Sequence, residues 1–289
     1  MQNELKGKFI IMKVVIGIDV GGSTTKIVGF DSEGRLIDPI YVKANDQITS
    51  FYGALGKFTT ENSIGLPDIE KIMVTGIGSS FVSDPTYDIP CEHVKEFPSI
   101  GKGGLFLSGL DEAIVVSMGT GTALVHAKRG YDSEYLGGTG VGGGTLLGLS
   151  KKLLGMENIH HIVELAEKGN LSNVDLRVSD ITKPDVHPGL APDLTASNFG
   201  KLSDVATSSD LALGIINMIF ETVTMLSVFA ARSYNIKNVV LTGNLTNLPQ
   251  AKKIFNTMNQ MFNVNFIIPN YSSFGTVIGA ALSGTNLDF

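Results

Sequence analysis

Asp19-Val20-Gly21-Gly22-Ser23-Thr24-Thr25-Lys26 follows directly on the apolar run Val14-Val15-Ile16-Gly17-Ile18. A run of that length and character reads as a buried strand, and the glycine pair behind it as the turn into a hairpin. Glycine lets a backbone come close to an anion, so Gly21 and Gly22 can turn consecutive N–H groups toward a phosphate. Ser23, Thr24 and Thr25 add hydroxyl donors, and Lys26 adds a point charge. Asp19, at the carboxyl end of the strand, is well placed to hold a hydrated magnesium ion. Gly-Gly alone marks an ordinary turn; the whole octet behind a strand carries the phosphate reading.

Outward from this hairpin, Lys26–Phe30 reads as a second strand, Asp31–Gly34 as a turn and Arg35–Val42 as a third strand. A helix is expected over Gln47–Thr60. A strand follows at Lys71–Thr75, broken at Gly76-Ile77-Gly78, then a helix at Ser99–Ser108 despite Gly101, Gly103 and Gly104. From Asp111 the same order begins again. Strand Ala113–Val116 ends in Ser117-Met118-Gly119-Thr120-Gly121-Thr122, and Ala123–Lys128 and Tyr135-Leu136 continue the hairpin. Further helices lead to strand Val239–Thr242, which ends at Gly243. Helix Gln250–Phe262, strand Phe266–Ile268 and helix Gly275–Leu282 close the chain. What repeats is the order of elements, not the residues. A hairpin feeding a helix and another strand gives a mixed sheet with helices on both faces. Two lobes, 12–112 and 113–289, are therefore expected beside a cleft.

Ser117–Thr122 is then a second phosphate hairpin, with Thr120 and Gly121 at its tip. Gly137-Gly138-Thr139-Gly140-Val141-Gly142-Gly143-Gly144-Thr145 opens the apolar segment Leu146–Leu154. It contains G-x-G-x-x-G, but it follows a very short hairpin strand and no acidic residue ends a second strand ~20 positions on, so it is not a dinucleotide fingerprint. Its helix N-terminus suits an anion, through Gly142, Gly143, Gly144 and Thr145. The sequence has no Walker A motif, which excludes P-loop enzymes.

Composition narrows the partners. The 289 residues carry a net charge of -6 without a cluster of Lys or Arg, so a nucleic-acid backbone is not an expected partner. Cys91 is the single cysteine, which rules out an intrachain disulfide, a four-cysteine zinc site or an iron–sulfur cluster of the chain's own. The five histidines show no ligand spacing. Phe9–Ile11 is too short for a secretory signal. Leu211–Ala231 is nearly long enough to span a bilayer, but Asn217 and Glu221 lie near its middle. It reads as a buried helix of a core or a dimer interface, and the protein as cytoplasmic with no membrane partner.

These segments resemble a known superfamily. Asp19–Lys26, Ser117–Thr122 and Leu241-Thr242-Gly243-Asn244 match the phosphate-1, phosphate-2 and adenosine motifs of the actin/Hsp70/sugar-kinase ATPases. Within it the chain is similar to type II pantothenate kinases. The matching pieces, in family order, are Asp19–Lys26, Glu96-Phe97, Gly119–Thr122, Gly142–Leu149 and Asp193-Leu194-Thr195-Ala196-Ser197-Asn198-Phe199-Gly200. The resemblance implies two ribonuclease-H-like α/β lobes flanking a nucleotide cleft, with ATP and Mg2+ as cofactors. The activity it implies is phosphorylation of pantothenate to 4'-phosphopantothenate, the first step of coenzyme A biosynthesis. Glu96 would be the catalytic base. Asp19 would hold the metal, and Gly21, Gly22, Ser23, Thr24, Thr25, Lys26, Thr120, Gly121, Gly142, Gly143, Gly144, Thr145, Gly243 and Asn244 would hold the nucleotide. It also agrees with a homodimer through the helix around Leu211–Arg232, which is apolar on more than one stripe.

One position departs. Where the family places an arginine two residues before the Gly-Gly of the glycine run, this chain has Tyr135, beside Glu134. A bidentate donor is replaced by one hydroxyl. Either Arg129 or Lys128 supplies a cation from the same hairpin, or the acceptor is not pantothenate itself. The alternatives are another small-molecule kinase or ATPase of the superfamily, or a non-catalytic nucleotide-binding, actin-like protein.

Overall fold

The computed structural model describes residues 13–22, 24–43, 46–183, 192 and 194–287. The first sheet is built from β1 (Val14–Val20), β2 (Thr25–Phe30), β3 (Leu36–Val42), β4 (Ile69–Thr75) and β5 (Cys91–His93). Helix α1 (Gln47–Glu61) lies between β3 and β4 in the chain, and α2 (Glu96–Ser108) follows β5. The strand order is β3-β2-β1-β4-β5. The β1–β2 and β2–β3 pairs are antiparallel, and β1–β4 and β4–β5 parallel.

The remaining strands are β6 (Glu112–Met118), β7 (Thr122–Lys128), β8 (Glu134–Thr139), β9 (Leu176–Arg177), β10 (Thr195–Ser197), β11 (Asn238–Thr242) and β12 (Asn265–Ile267). The helices between and after them are α3 (Gly143–Leu154), α4 (Ile159–Ala166), α5 (Val178–Ile181), α6 (Ser208–Ser233), α7 (Pro249–Phe262) and α8 (Gly275–Leu282). The second large sheet runs β12-β11-β6-β7-β8; read from β8 it repeats the first sheet's order of third, second, first, fourth and fifth strand. The repeated mixed α/β order expected from the sequence is therefore what the chain folds into. Strands β9 and β10 form a small antiparallel pair.

Two compact units result. One comprises residues up to Val115, 125–135 and Pro269 onward; the other comprises Val116–Leu124 and Leu136–Ile268. In the first unit, β2 shows why the sheet is covered on both faces. Ile27 joins Ile16, Ile18, Phe51, Leu55 and Phe58 on the α1 side, while Val28 and Phe30 join Val277, Ile278 and Ala281 on the α8 side. Each large side chain buried in this way contributes ~1.5–3 kcal/mol.

Helix α2 starts three residues before the expected Ser99. Pro98 falls in its first turn, where no intrahelical N–H is required, so Glu96 becomes its first residue. The glycines of α2 are there for packing. A Cβ on Gly103 would lie 1.8 Å from the carbonyl oxygen of Gly275, and one on Gly279 1.8 Å from that of Ser99, so α2 and α8 touch backbone to backbone. Strand β5 was not expected: Cys91-Glu92-His93 has no apolar run to announce it.

In the second unit α6 is the central helix. Its 26 residues are long and apolar enough to cross a membrane, yet 61% of the apolar window is buried within the fold. The polar residues in its middle have partners. Glu221 accepts from the Thr195 hydroxyl (2.7 Å) and the Asn198 amide (2.8 Å), and Asn217 donates to the buried Asp175 (2.9 Å). A capping box opens it: Asp210 accepts from the backbone N–H and the hydroxyl of Thr207, and also from Asn170 and Asn173. Those bonds hold the Asp210 carboxyl down at about 2.

Candidate active site

Asp19 is the penultimate residue of β1, partly buried, with an antiparallel neighbour on one side and a parallel one on the other. It pairs with Lys26 across β2 and with Thr75 across β4. Burial pushes the Asp19 carboxyl above its ordinary range, with the Lys26 charge acting against that shift. Burial likewise lowers the Lys26 ammonium, and Asp19 opposes it. Lys26 Nζ donates to the carbonyl of Ser273 and lies 6.0 Å from the centre of the Phe274 ring.

Sequence reasoning missed the wall opposite Asp19. Gly76 has φ 87, and a Cβ there would lie 2.4 Å from Asp19 Oδ1 and 2.7 Å from the carbonyl of Val20. Next to it, the Thr75 hydroxyl is buried without a hydrogen-bond partner. An orphaned hydroxyl and a cradle that only glycine leaves open suit a hydrated cation on Asp19. No group of three or more His, Cys, Asp or Glu side chains that could hold a metal occurs among the described residues. Asp19 would hold a magnesium ion there, and the ion would offset phosphate charge.

Glu96 is brought to the same place. Its side chain reaches solvent, but neighbouring protein displaces enough water to raise its carboxyl, and the negative charge of Asp19 raises it further. A carboxyl of raised affinity for protons, coupled to a second carboxylate, is the kind of pair found where proton transfer is done.

Not every expected hydroxyl faces a phosphate. Thr25 is buried and its Oγ1 accepts from Ser50 at 2.5 Å, so it anchors α1 to β2. The Gly21 N–H closes the turn on the Thr24 carbonyl at 3.0 Å. Ser23 lies outside the described residues, as does Asp193.

In the second unit, Thr120 stands exposed at the tip of the β6–β7 hairpin. The glycine run is fastened onto that hairpin: Gly143 N–H donates to the Gly119 carbonyl and Gly144 N–H to the Thr120 carbonyl, both at 2.8 Å. These two amides are spent there and do not point at an anion in this arrangement. Thr145 Oγ1 accepts from Gly142 N–H (3.2 Å) and donates to the Gly140 carbonyl (2.9 Å). A Cβ on Gly142 would lie 2.7 Å from the Thr120 carbonyl, which explains glycine here as backbone packing. Gly243 repeats the Gly76 device. It follows a buried threonine, has φ 92, precedes a 3-10 turn starting at Asn244, and a Cβ would lie 2.4 Å from the Met118 carbonyl.

Tyr135 stacks on Phe97, ring centres 3.9 Å apart and planes 10° from parallel. The cations suggested as substitutes for the missing arginine have acidic partners. Arg129 Nε donates to Asp111 at 2.9 Å, and Lys128 lies 3.5 Å from Glu112.

The fold, two five-stranded mixed sheets of the same strand order with helices, is like that of the actin and sugar-kinase ATPases. The fold is shared with component A of the (R)-2-hydroxyglutaryl-CoA dehydratase of Acidaminococcus fermentans (TM-score 0.67, 16% identity, 94% of this chain and 97% of that one). It is shared equally with the activator of the 2-hydroxyisocaproyl-CoA dehydratase of Clostridium difficile, solved with bound ADPNP (TM-score 0.66, 17% identity, 93% of both chains). At that identity the likeness is one of fold. The Fumble family model matches residues 95–280. A type II pantothenate kinase of Staphylococcus aureus (strain USA300) is 30% identical over 239 residues, 79% of this chain and 84% of that protein. The chain belongs to the Fumble family of type II pantothenate kinases.

Proposed function

We propose that the protein transfers the γ-phosphoryl group of ATP to the primary hydroxyl of pantothenate, giving 4'-phosphopantothenate and ADP. The observation that carries this reading is Glu96 at the start of α2, its carboxyl raised by burial and by Asp19 at the end of β1. Family membership supplies the acceptor. Glu96 accepts the proton of the attacking hydroxyl as the new O–P bond forms and the bond to the β-phosphate oxygen breaks. Because the transfer is largely dissociative, Glu96 orients the hydroxyl as much as it deprotonates it.

Gly21, Gly22, Ser23, Thr24 and Lys26 form the phosphate hairpin on one unit. Thr120 and Gly121 form a second phosphate hairpin, fastened to Gly143 and Gly144, and Gly243-Asn244 takes the adenosine. Asp19 is the ligand for a magnesium ion, which when bound offsets phosphate charge. The functional lobes are 12–112 and 113–289, and the enzyme is a cytoplasmic homodimer. Supporting the dimer, Met218, Thr222, Met225 and Phe229 stay on one incompletely buried stripe of α6, with Phe229 55% exposed. The test is ADP release from ATP with and without pantothenate, with the product identified by mass. ADP release that pantothenate does not stimulate would remove the reading.

A further inference from the structure

Lys26, Asp19 and Thr75 stand in a row across one face of the first sheet, Asp19 being in register with Lys26 on β2 and with Thr75 on β4. Register neighbours in a sheet lie about 4.8 Å apart and send their side chains to the same face. Gly17, two residues before Asp19 and on that face, packs against α8: a Cβ on it would meet the Val277 carbonyl at 2.5 Å. Helix α2, whose first residue is Glu96, touches α8 backbone to backbone, so the row and Glu96 share one side of the first unit. Asp19 and Lys26 offset each other's charge, and Lys26 Nζ donates to the Ser273 carbonyl. Thr75 is different: only 1% of it is exposed, and its hydroxyl has no hydrogen-bond partner. Among the described residues the other buried threonine hydroxyls are bonded. Thr242, which ends the fourth strand of the other copy and is equally buried, donates to the Val116 carbonyl at 3.3 Å. A buried hydroxyl left unpaired costs free energy that valine, of the same shape, would not. Packing alone therefore does not account for a hydroxyl at position 75.

We propose that Thr75 is a positioning residue for the hydrated magnesium ion at Asp19, its hydroxyl accepting a hydrogen bond from water bound to that ion. The proposal rests on the kinase reading above and deepens it. Magnesium gives up its water reluctantly, so a protein that offers it one carboxylate controls it largely through groups that bind the water it keeps. In the row, Lys26 has donors alone, whereas a hydroxyl can accept. Gly76 leaves the space beside Asp19 open, since a Cβ there would collide with Asp19 Oδ1. Valine at position 75 would fill the volume of threonine and offer that water nothing.

The experiment compares wild type with Thr75→Val and Thr75→Ser, measuring ADP binding by calorimetry with Mg2+ and with EDTA in its place. In wild type, Mg2+ is expected to tighten ADP binding. In Thr75→Val that tightening is expected to shrink by about tenfold or more, with the affinity in EDTA unchanged. Thr75→Ser keeps the hydroxyl and is expected to recover most of it. The Mg2+ concentration for half-maximal ADP release from ATP and pantothenate is expected to rise about 10- to 100-fold in Thr75→Val and little in Thr75→Ser. Without ligand, Thr75→Val is expected to melt no lower than wild type, because no bond within the fold is lost. Equal Mg2+ tightening in wild type and Thr75→Val, or none in wild type, would overturn the proposal. So would a ligand-free Thr75→Val melt clearly below that of wild type and of Thr75→Ser, since that would show the hydroxyl bonded within the fold. A wild type whose ADP release pantothenate does not stimulate would instead remove the kinase reading, and ADP binding with and without Mg2+ would still decide the role of Thr75.

Discussion

Glu96 is held in a state that costs stability. Its carboxyl is raised above the ordinary 4.5 by desolvation and then by Asp19, so the folded chain binds that proton more tightly than the unfolded one. The penalty is full above the raised folded value and disappears as pH falls to the ordinary one. Glu96→Gln is therefore expected to lose ~100- to 10,000-fold in turnover while nucleotide affinity holds. The same variant is expected to melt at a higher temperature than wild type at pH 8 and at the same temperature near pH 4. Full activity in Glu96→Gln would place the base elsewhere. Gly76 is the second residue to change. Alanine there takes a left-handed φ and drives its Cβ against Asp19 Oδ1 and the Val20 carbonyl. Urea melts should show ~1–3 kcal/mol lost, with turnover falling further than that loss explains because Asp19 is displaced. A variant with normal turnover would show that the Asp19 position does not matter. Glu96 and Asp19 were marked as candidates in the sequence, one by family motif and one by its place in an apolar strand, and the structure brings their charges within reach of each other. Gly76 had a signal that went unread: in each copy the fourth strand of the sheet ends in a threonine, Thr75 or Thr242, and a glycine, Gly76 or Gly243, follows it.

At the scale of elements, the sequence is most legible where period and breakers agree. Helices Gln47–Glu61 and Gly275–Leu282 and strands β1, β2, β3, β6 and β7 fall within a residue or two of expectation, whereas β8, expected as Tyr135-Leu136, runs on into the glycine stretch to Thr139. Strands β5, β9 and β10 are two or three residues long and exist through pairing with neighbours, so no local pattern marks them. Helix α2 shows the opposite case: its glycines lower local helix preference, and contact with α8 overrides that. Helix α6 depends on its cap. Asp210 is lowered to about 2 against an ordinary 3.8, so its bonds contribute stability above the unfolded value and lose it as pH falls through about 2. Asp210→Ala removes acceptors for Thr207, Asn170 and Asn173 at once. Urea denaturation at pH 7 should show a loss of ~2 kcal/mol, shrinking as wild-type Asp210 becomes protonated. A loss of the same size at pH 2 would show that packing, not the cap, carries the effect.

For the whole molecule, the proposal with the widest reach is the dimer. The apolar stripe of α6 that its own unit leaves partly uncovered ends at Phe229. Phe229→Lys puts a charge into that stripe without entering the core, so light scattering at micromolar protein should read dimer for wild type and monomer for the variant. A monomeric wild type would refute the proposal.

From the sequence alone came the repeated order of strand, glycine turn, hairpin, helix and strand, together with the candidate residues of the site. Both are written locally, in apolar period and in short runs whose residue types suit one task. The tertiary structure alone decided how those residues are used. It took Thr25 and the Gly143 and Gly144 amides for internal hydrogen bonds, gave Asp19 a wall at Thr75-Gly76, and laid Tyr135 on Phe97. Such roles depend on which segments meet across a sheet or between hairpin and helix. Burial, close backbone approach and ring stacking arise only between residues far apart in the chain, where no window of sequence displays them.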